Sequence, residues 1–170
     1  MEHQYLLGTD IGSSSTKTVI TDEHGNVLAS AVENYDILCP QNAWAEQWPD
    51  VWDNAVRHTI RTVMKQSAIP PEQVAALCIS GLYGGSGIPL DEAMEVVRPC
   101  IIWMDRRAEA LCDRLKETID AERLFQISEN GIDSYFGFAK MLWIKENEPE
   151  NWKRISLFLT PNQYVAYRLT

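Results

Sequence analysis

The stretch Tyr5-Leu6-Leu7-Gly8-Thr9-Asp10-Ile11-Gly12-Ser13-Ser14-Ser15-Thr16-Lys17-Thr18-Val19-Ile20-Thr21-Asp22 decides how the chain is read. An apolar run carries the chain inward to Asp10. A tight turn of Gly12 and three serines follows, and an alternating run leads back out. Gly12 lets the backbone come close to a ligand. Ser13, Ser14 and Ser15 offer hydroxyl and N–H donors to phosphate oxygens. Asp10 is a hard oxygen ligand for Mg²⁺, directly or through water, and Lys17 adds a point charge. A carboxylate at a strand tip with these neighbours suits a metal-bound polyphosphate. A polar hairpin with a serine-rich turn is the alternative that these residues leave open. The stretch is not a Walker loop, because the GxxxxGK[ST] spacing is absent. It is not a dinucleotide fingerprint either, because GxGxxG is missing and the turn leads into a strand.

Working outward, residues 5–11, 17–22 and 26–35 read as three strands joined by short turns, with Gly25 available for positive φ. Parallel strands need a long crossover, so these three form an antiparallel meander. Pro49 suits the first turn of a helix. Trp52, Ala55, Val56, Thr59, Ile60, Val63 and Met64 recur at helical spacing and mark its buried face. Val74-Ala75-Ala76-Leu77-Cys78-Ile79 is a continuous apolar run, expected of a strand buried on both faces and parallel to its neighbours. It ends in the glycine-rich loop Ser80–Gly87, read equally as a ligand contact or as a hairpin loop before a short strand at 87–91.

Arg98 to Arg107 reads as a strand running into a polar tip, with a helix after it. Asp105 suits the N-cap of that helix. The cluster Trp103, Asp105 and Arg107 also suits a polyol, as an aromatic wall with a carboxylate. Further helices are expected at 121–129 and 136–148, and a short strand at 157–159. Thr160-Pro161-Asn162-Gln163 is a capping box that opens a last helix.

The net charge of −9 over 170 residues argues against a nucleic-acid partner and against an anionic membrane surface. Cys39, Cys78, Cys100 and Cys112 form no CxxC pair, and Cys78 and Cys100 lie in apolar runs as expected of core residues. No signal-peptide pattern opens the chain, and no apolar stretch reaches the roughly 18 residues of a membrane span. A cytoplasmic location is the expectation.

With these motifs in order, the chain resembles the FGGY carbohydrate kinases, especially their xylulokinase-like members. Gly8 to Lys17 looks like the family's first phosphate motif. Ala43-Trp44-Ala45-Glu46-Gln47-Trp48-Pro49-Asp50-Val51-Trp52 is similar to its G-W-x-E-Q-x-P-x-x-W segment. Trp103-Met104-Asp105-Arg106-Arg107 matches its W-x-D-x-R signature. Lys140-Met141-Leu142-Trp143, followed by Pro149, resembles its K-L-x-W stretch.

The resemblance implies an α/β fold of the RNase H-like, actin-like ATPase type. Its mixed sheet is an antiparallel three-stranded meander extended by parallel strands, with helices on both faces. It implies MgATP-dependent phosphorylation of a small-molecule sugar or polyol, and it allows a homodimer of the full-length protein. Asp10 would sit near Mg²⁺ and the phosphates, Ser13 to Ser15 by the transferring phosphate, and Lys17 near the nucleotide. Trp103 and Asp105 would lie by the sugar. The family's Met-His sugar contacts fall at Tyr83 and Gly84, so the resemblance leaves the sugar itself open.

The family's catalytic base comes after the position of Thr170. Residues 1–170 are therefore expected to be an incomplete N-terminal kinase domain, inactive alone and without the base. Two other readings are an actin-like ATPase of the acyl-CoA dehydratase activator type and a non-catalytic sugar- or nucleotide-binding domain.

Overall fold

The computed structural model describes residues 4–83 and 85–170. The first elements are β1 (Tyr5–Ile11), β2 (Ser15–Thr21), β3 (Val27–Asn34), β4 (Glu46–Gln47), α1 (Pro49–Ser67) and β5 (Val74–Gly81). There follow β6 (Ile88–Leu90), β7 (Cys100–Ile101), α2 (Glu109–Thr118), α3 (Ala121–Ser128), α4 (Gly137–Asn147), α5 (Pro149–Arg154), β8 (Leu157–Leu159) and α6 (Pro161–Leu169). The chain divides into two units. One comprises the chain up to Ile37 with Pro49–Leu82 and Thr160–Thr170, and the other Leu38–Trp48 with Tyr83–Leu159.

The first unit is built on a sheet of order β3-β2-β1-β5. The expected meander is present: β1 and β2 are antiparallel, as are β2 and β3, and β5 joins β1 in parallel after the α1 crossover. Asp22 closes the β2–β3 turn by accepting from the N–H groups of His24 and Asn26, and Gly25 takes φ 84° there. Leu7 and Ile20 meet Val63 of α1 in the core, with Ile60 and Met64 at its margin.

A chain of buried hydroxyls runs between α1 and the sheet. Thr59 donates to the Ala55 carbonyl within α1 and lies 2.7 Å from Thr18 Oγ1, which lies 2.9 Å from Thr9 Oγ1. Thr18 therefore donates to Thr59 and Thr9 to Thr18, and each buried hydroxyl finds a partner. The Thr160–Gln163 capping box is present at the start of α6.

Two expectations are corrected in this unit. β2 begins at Ser15 rather than at residue 17, so the turn proper is Gly12–Ser14. β5 is not buried on both faces. Ala75, Ala76, Leu77 and Cys78 are exposed, because β5 is the outer strand of the sheet. Cys78 is thus no core residue, while Cys100 and Cys112 are buried.

The second unit holds two short antiparallel ladders. β4 pairs with β7, and β6 pairs with β8. Ala108, Cys112, Ile132 and Ala139 form its hydrophobic cluster, with Leu115, Leu124 and Trp143 against it. The strand expected over 98–107 shortens to Cys100–Ile101, and the chain from Trp103 is loop. Pro149 both ends α4 and opens the short α5, which sequence pattern did not separate. Among the described residues no helix is long and apolar enough to cross a membrane.

Candidate functional site

In the first unit the phosphate-motif residues lie on one hairpin. Asp10 and Lys17 are direct partners across the β1–β2 ladder, and both are exposed on the same sheet face. Strand alternation explains this. Thr9, Ile11, Thr16 and Thr18 turn inward and are buried, which leaves Asp10 and Lys17 outward.

The turn between them is tight. The Gly12 N–H donates to the Ser15 carbonyl at 2.9 Å. A Cβ at Gly12 would stand 3.0 Å from that same oxygen, so a side chain there would crowd the turn. Ser14 is exposed and Ser13 and Ser15 are half-buried. The tip of β1 is also tied to the end of β5, where the Leu82 N–H donates to the Ile11 carbonyl at 2.8 Å.

Among the described residues no cluster of three His, Cys, Asp or Glu side chains could hold a metal. Asp10 is a single exposed carboxylate. That donor set fits Mg²⁺, which keeps several waters and takes one or two carboxylates together with phosphate oxygens.

In the second unit Asp105 is 1% exposed. Its Oδ2 accepts from the Ala45 N–H at 2.6 Å and its Oδ1 from the Arg107 N–H at 2.9 Å. The Arg107 guanidinium adds Nε and Nη2 to the same carboxylate. Asp105 is therefore not the N-cap of α2. That position belongs to Ala108, which makes no side-chain cap bond. The carboxylate is spent on the loop that carries Trp103.

Arg107 in turn lies 3.6 Å above the Trp44 ring and 2.8 Å from Glu46 Oε1. Glu46 also binds Arg98, whose Nε stands 2.9 Å from Glu148. Trp44 meets Trp143 edge-on at 5.3 Å. The three later motifs thus converge in one buried network. The sequence pattern groups Arg107 with Trp103 and Asp105 as a polyol cluster and gives Glu46 and Arg98 no role.

Trp103 is half-buried and packs edge-on against Tyr135, with ring centroids 6.0 Å apart. Tyr135 was not anticipated, and its neighbour Lys140 explains its setting. Lys140 is fully buried, and its Nζ donates to the Ser134 carbonyl and, at 3.0 Å, to that of Tyr135. Burial lowers the Lys140 pKa to about 8 against the opposing pull of Asp105. Tyr83 is 72% exposed, and Gly84 lies outside the described residues.

Comparison with known proteins places this geometry. Residues 5–170 match the model of the FGGY family of carbohydrate kinases, N-terminal domain. The chain is 30% identical over 167 residues to the xylulose kinase of Bacillus subtilis, covering 98% of this chain and 33% of that protein. A solved xyloylose kinase from Brucella ovis is 30% identical with a TM-score of 0.85, over 96% of this chain and 34% of that one. A gluconate kinase from Lactobacillus acidophilus superposes with a TM-score of 0.90 at 23% identity, over 98% and 33% of the two chains, a likeness of fold. The fold is the RNase H-like, actin-like one expected from the sequence. The chain spans about a third of the length of the curated relatives it matches. On the match over residues 5–170, the chain belongs to the FGGY family of carbohydrate kinases, in that family's N-terminal domain.

Proposed function

We propose that the protein is an ATP-dependent sugar or polyol kinase and that residues 1–170 are its N-terminal domain. The observation that carries this is the Asp10–Lys17 pair, exposed at the tip of β1 and β2 beside the Gly12–Ser15 turn, in a chain of this family. Bound MgATP supplies the phosphoryl group, with the ion neutralising charge on the phosphates. Asp10 would hold the ion, directly or through water. The N–H and hydroxyl groups of Ser13, Ser14 and Ser15 orient the phosphates, and Lys17 adds positive charge beside them.

Trp103 and Tyr135 offer an aromatic wall for a small polyhydroxy substrate, with Tyr83 as a further polar contact. Asp105 serves that wall indirectly, by fixing the loop through Ala45 and Arg107. The xylulose kinases among the relatives favour a ketopentose as that substrate. The catalytic base belongs to a later part of the protein. The exposed apolar strand β5 supports that placement, since a second domain or further strand would cover it. The cytoplasm is the matching location.

The test is the full-length protein with MgATP and a panel of pentuloses, hexuloses and polyols, followed by ADP release. Sugar-dependent ADP release is expected, and residues 1–170 alone should give none. A folded full-length protein that turns over no member of the panel sinks the reading.

A further inference from the structure

Tyr35 stands one residue beyond β3 and is half-buried. Its hydroxyl donates to the Gly12 carbonyl at 2.8 Å. The same oxygen lies 3.0 Å from Thr16 Oγ1, so the threonine hydroxyl donates to the phenol. The backbone N–H of Tyr35 donates to the Ser14 carbonyl at 3.0 Å. One residue from outside the hairpin thus grips the turn at both Gly12 and Ser14. Within the turn itself the Gly12 N–H also bonds the Ser15 carbonyl. A run of one glycine and three serines has much backbone freedom to lose, so an outside anchor has a large effect on its order.

The phenol keeps its proton for this task. Burial holds its pKa above the ordinary tyrosine value and the Asp10 charge adds to that, while the Thr16 hydrogen bond works the other way.

We propose that Tyr35 is a positioning residue for the phosphate turn. It touches no substrate, and it holds Gly12–Ser15 in the geometry that presents their donors to the nucleotide phosphates. This role rests on the kinase reading above. The grip itself is a property of the hairpin alone.

Tyr35→Phe keeps the ring and removes only the hydroxyl. In the full-length protein, losing one such bond should lower kcat/KM for MgATP about three- to tenfold and leave KM for the sugar unchanged. Hydrogen exchange at the amides of Ser13 to Lys17 should accelerate in the same variant. A merely structural tyrosine would lower the melting temperature and leave the nucleotide constants as in wild type, and that result overturns the proposal. If wild type turns over no sugar, the kinase reading fails, while the exchange measurement still decides the grip. Unchanged exchange at Ser13 to Lys17 in Tyr35→Phe overturns the proposal under either reading.

Discussion

Arg107 closes on Asp105 through Nε and Nη2, at 3.0 and 2.7 Å from Oδ2, and neither side chain is more than 1% exposed. A buried pair of this kind is weak evidence for stability when compared with an apolar replacement. Breaking it from one side is another matter, because the remaining charge stays buried. Asp105 also accepts from two backbone N–H groups, so its loss frees two loop segments at once. Asp105→Asn should therefore cost about 3–5 kcal/mol of unfolding free energy. Urea denaturation measures it, and sugar affinity should weaken only as a secondary effect of the loosened Trp103 loop, smaller than the loss of stability. Normal stability with lost sugar binding would make Asp105 a direct ligand instead.

Asp10 offers the opposite case. It is exposed and sits near the end of a strand whose inward residues hold the core. Asp10→Asn should leave the melting temperature as it is. In the full-length enzyme it should lower kcat by ~100-fold, the scale of removing a preorganised electrostatic partner. Lys17→Met should weaken MgATP binding more than it slows turnover. Wild-type kinetics in Asp10→Asn would remove the hairpin from the phosphate site.

How much of this was legible in the sequence differs between the two units. The β1–β2 hairpin was legible because strand alternation and a Gly-Ser turn are local signals. The same holds for Pro49 at the start of α1 and for the Thr160–Gln163 box. The frame of Trp103 was not legible, because its bonds are long-range. Ala45 and Asp105 lie 60 residues apart. An aspartate before a helix reads the same whether it caps that helix or binds an arginine. Glu46, Arg98, Arg107 and Lys140 run against the expectation that charged side chains face water, and only their partners account for their burial. The run at 74–79 misled for a related reason. Apolarity announces that a strand is meant to be covered, but not by which segment.

Lys140 carries a prediction in pH. Its pKa in the folded chain is lowered to about 8, below the 10.5 of a free lysine, with burial the main cause. Between those values the unfolded chain binds more protons than the folded one. Stability from this group therefore rises as pH increases through that window, and it is lowest below about pH 8. The buried Cys100 thiol, pushed up to about 12, works in the opposite direction above its ordinary value of 9. Comparing wild type with Lys140→Met cancels that contribution. Urea midpoints at pH 7.5 and pH 10, two arbitrary points spanning roughly that window, should rise more in wild type than in the variant. Parallel slopes would mean that the ammonium is as well solvated as a surface lysine.

Cys78 reports on what covers β5. It is exposed on the outer strand of the sheet, among Ala75, Ala76 and Leu77, which are exposed as well. Leu77 and Ile79 also line a groove of about 320 Å³ with Ala166 and Leu169 of α6. An outer strand that presents this much apolar surface and an open backbone edge is a pairing site in solution. If residues 1–170 are the N-terminal domain of a longer kinase, later chain seals that edge. In the full-length protein Cys78 should then resist a maleimide reagent while the exposed Cys39 reacts. Unfolding in urea should release it, and mass spectrometry of the peptides assigns each thiol. Equal labelling of Cys78 and Cys39 in the folded protein would show β5 open to solvent, and the domain assignment would lose its structural support.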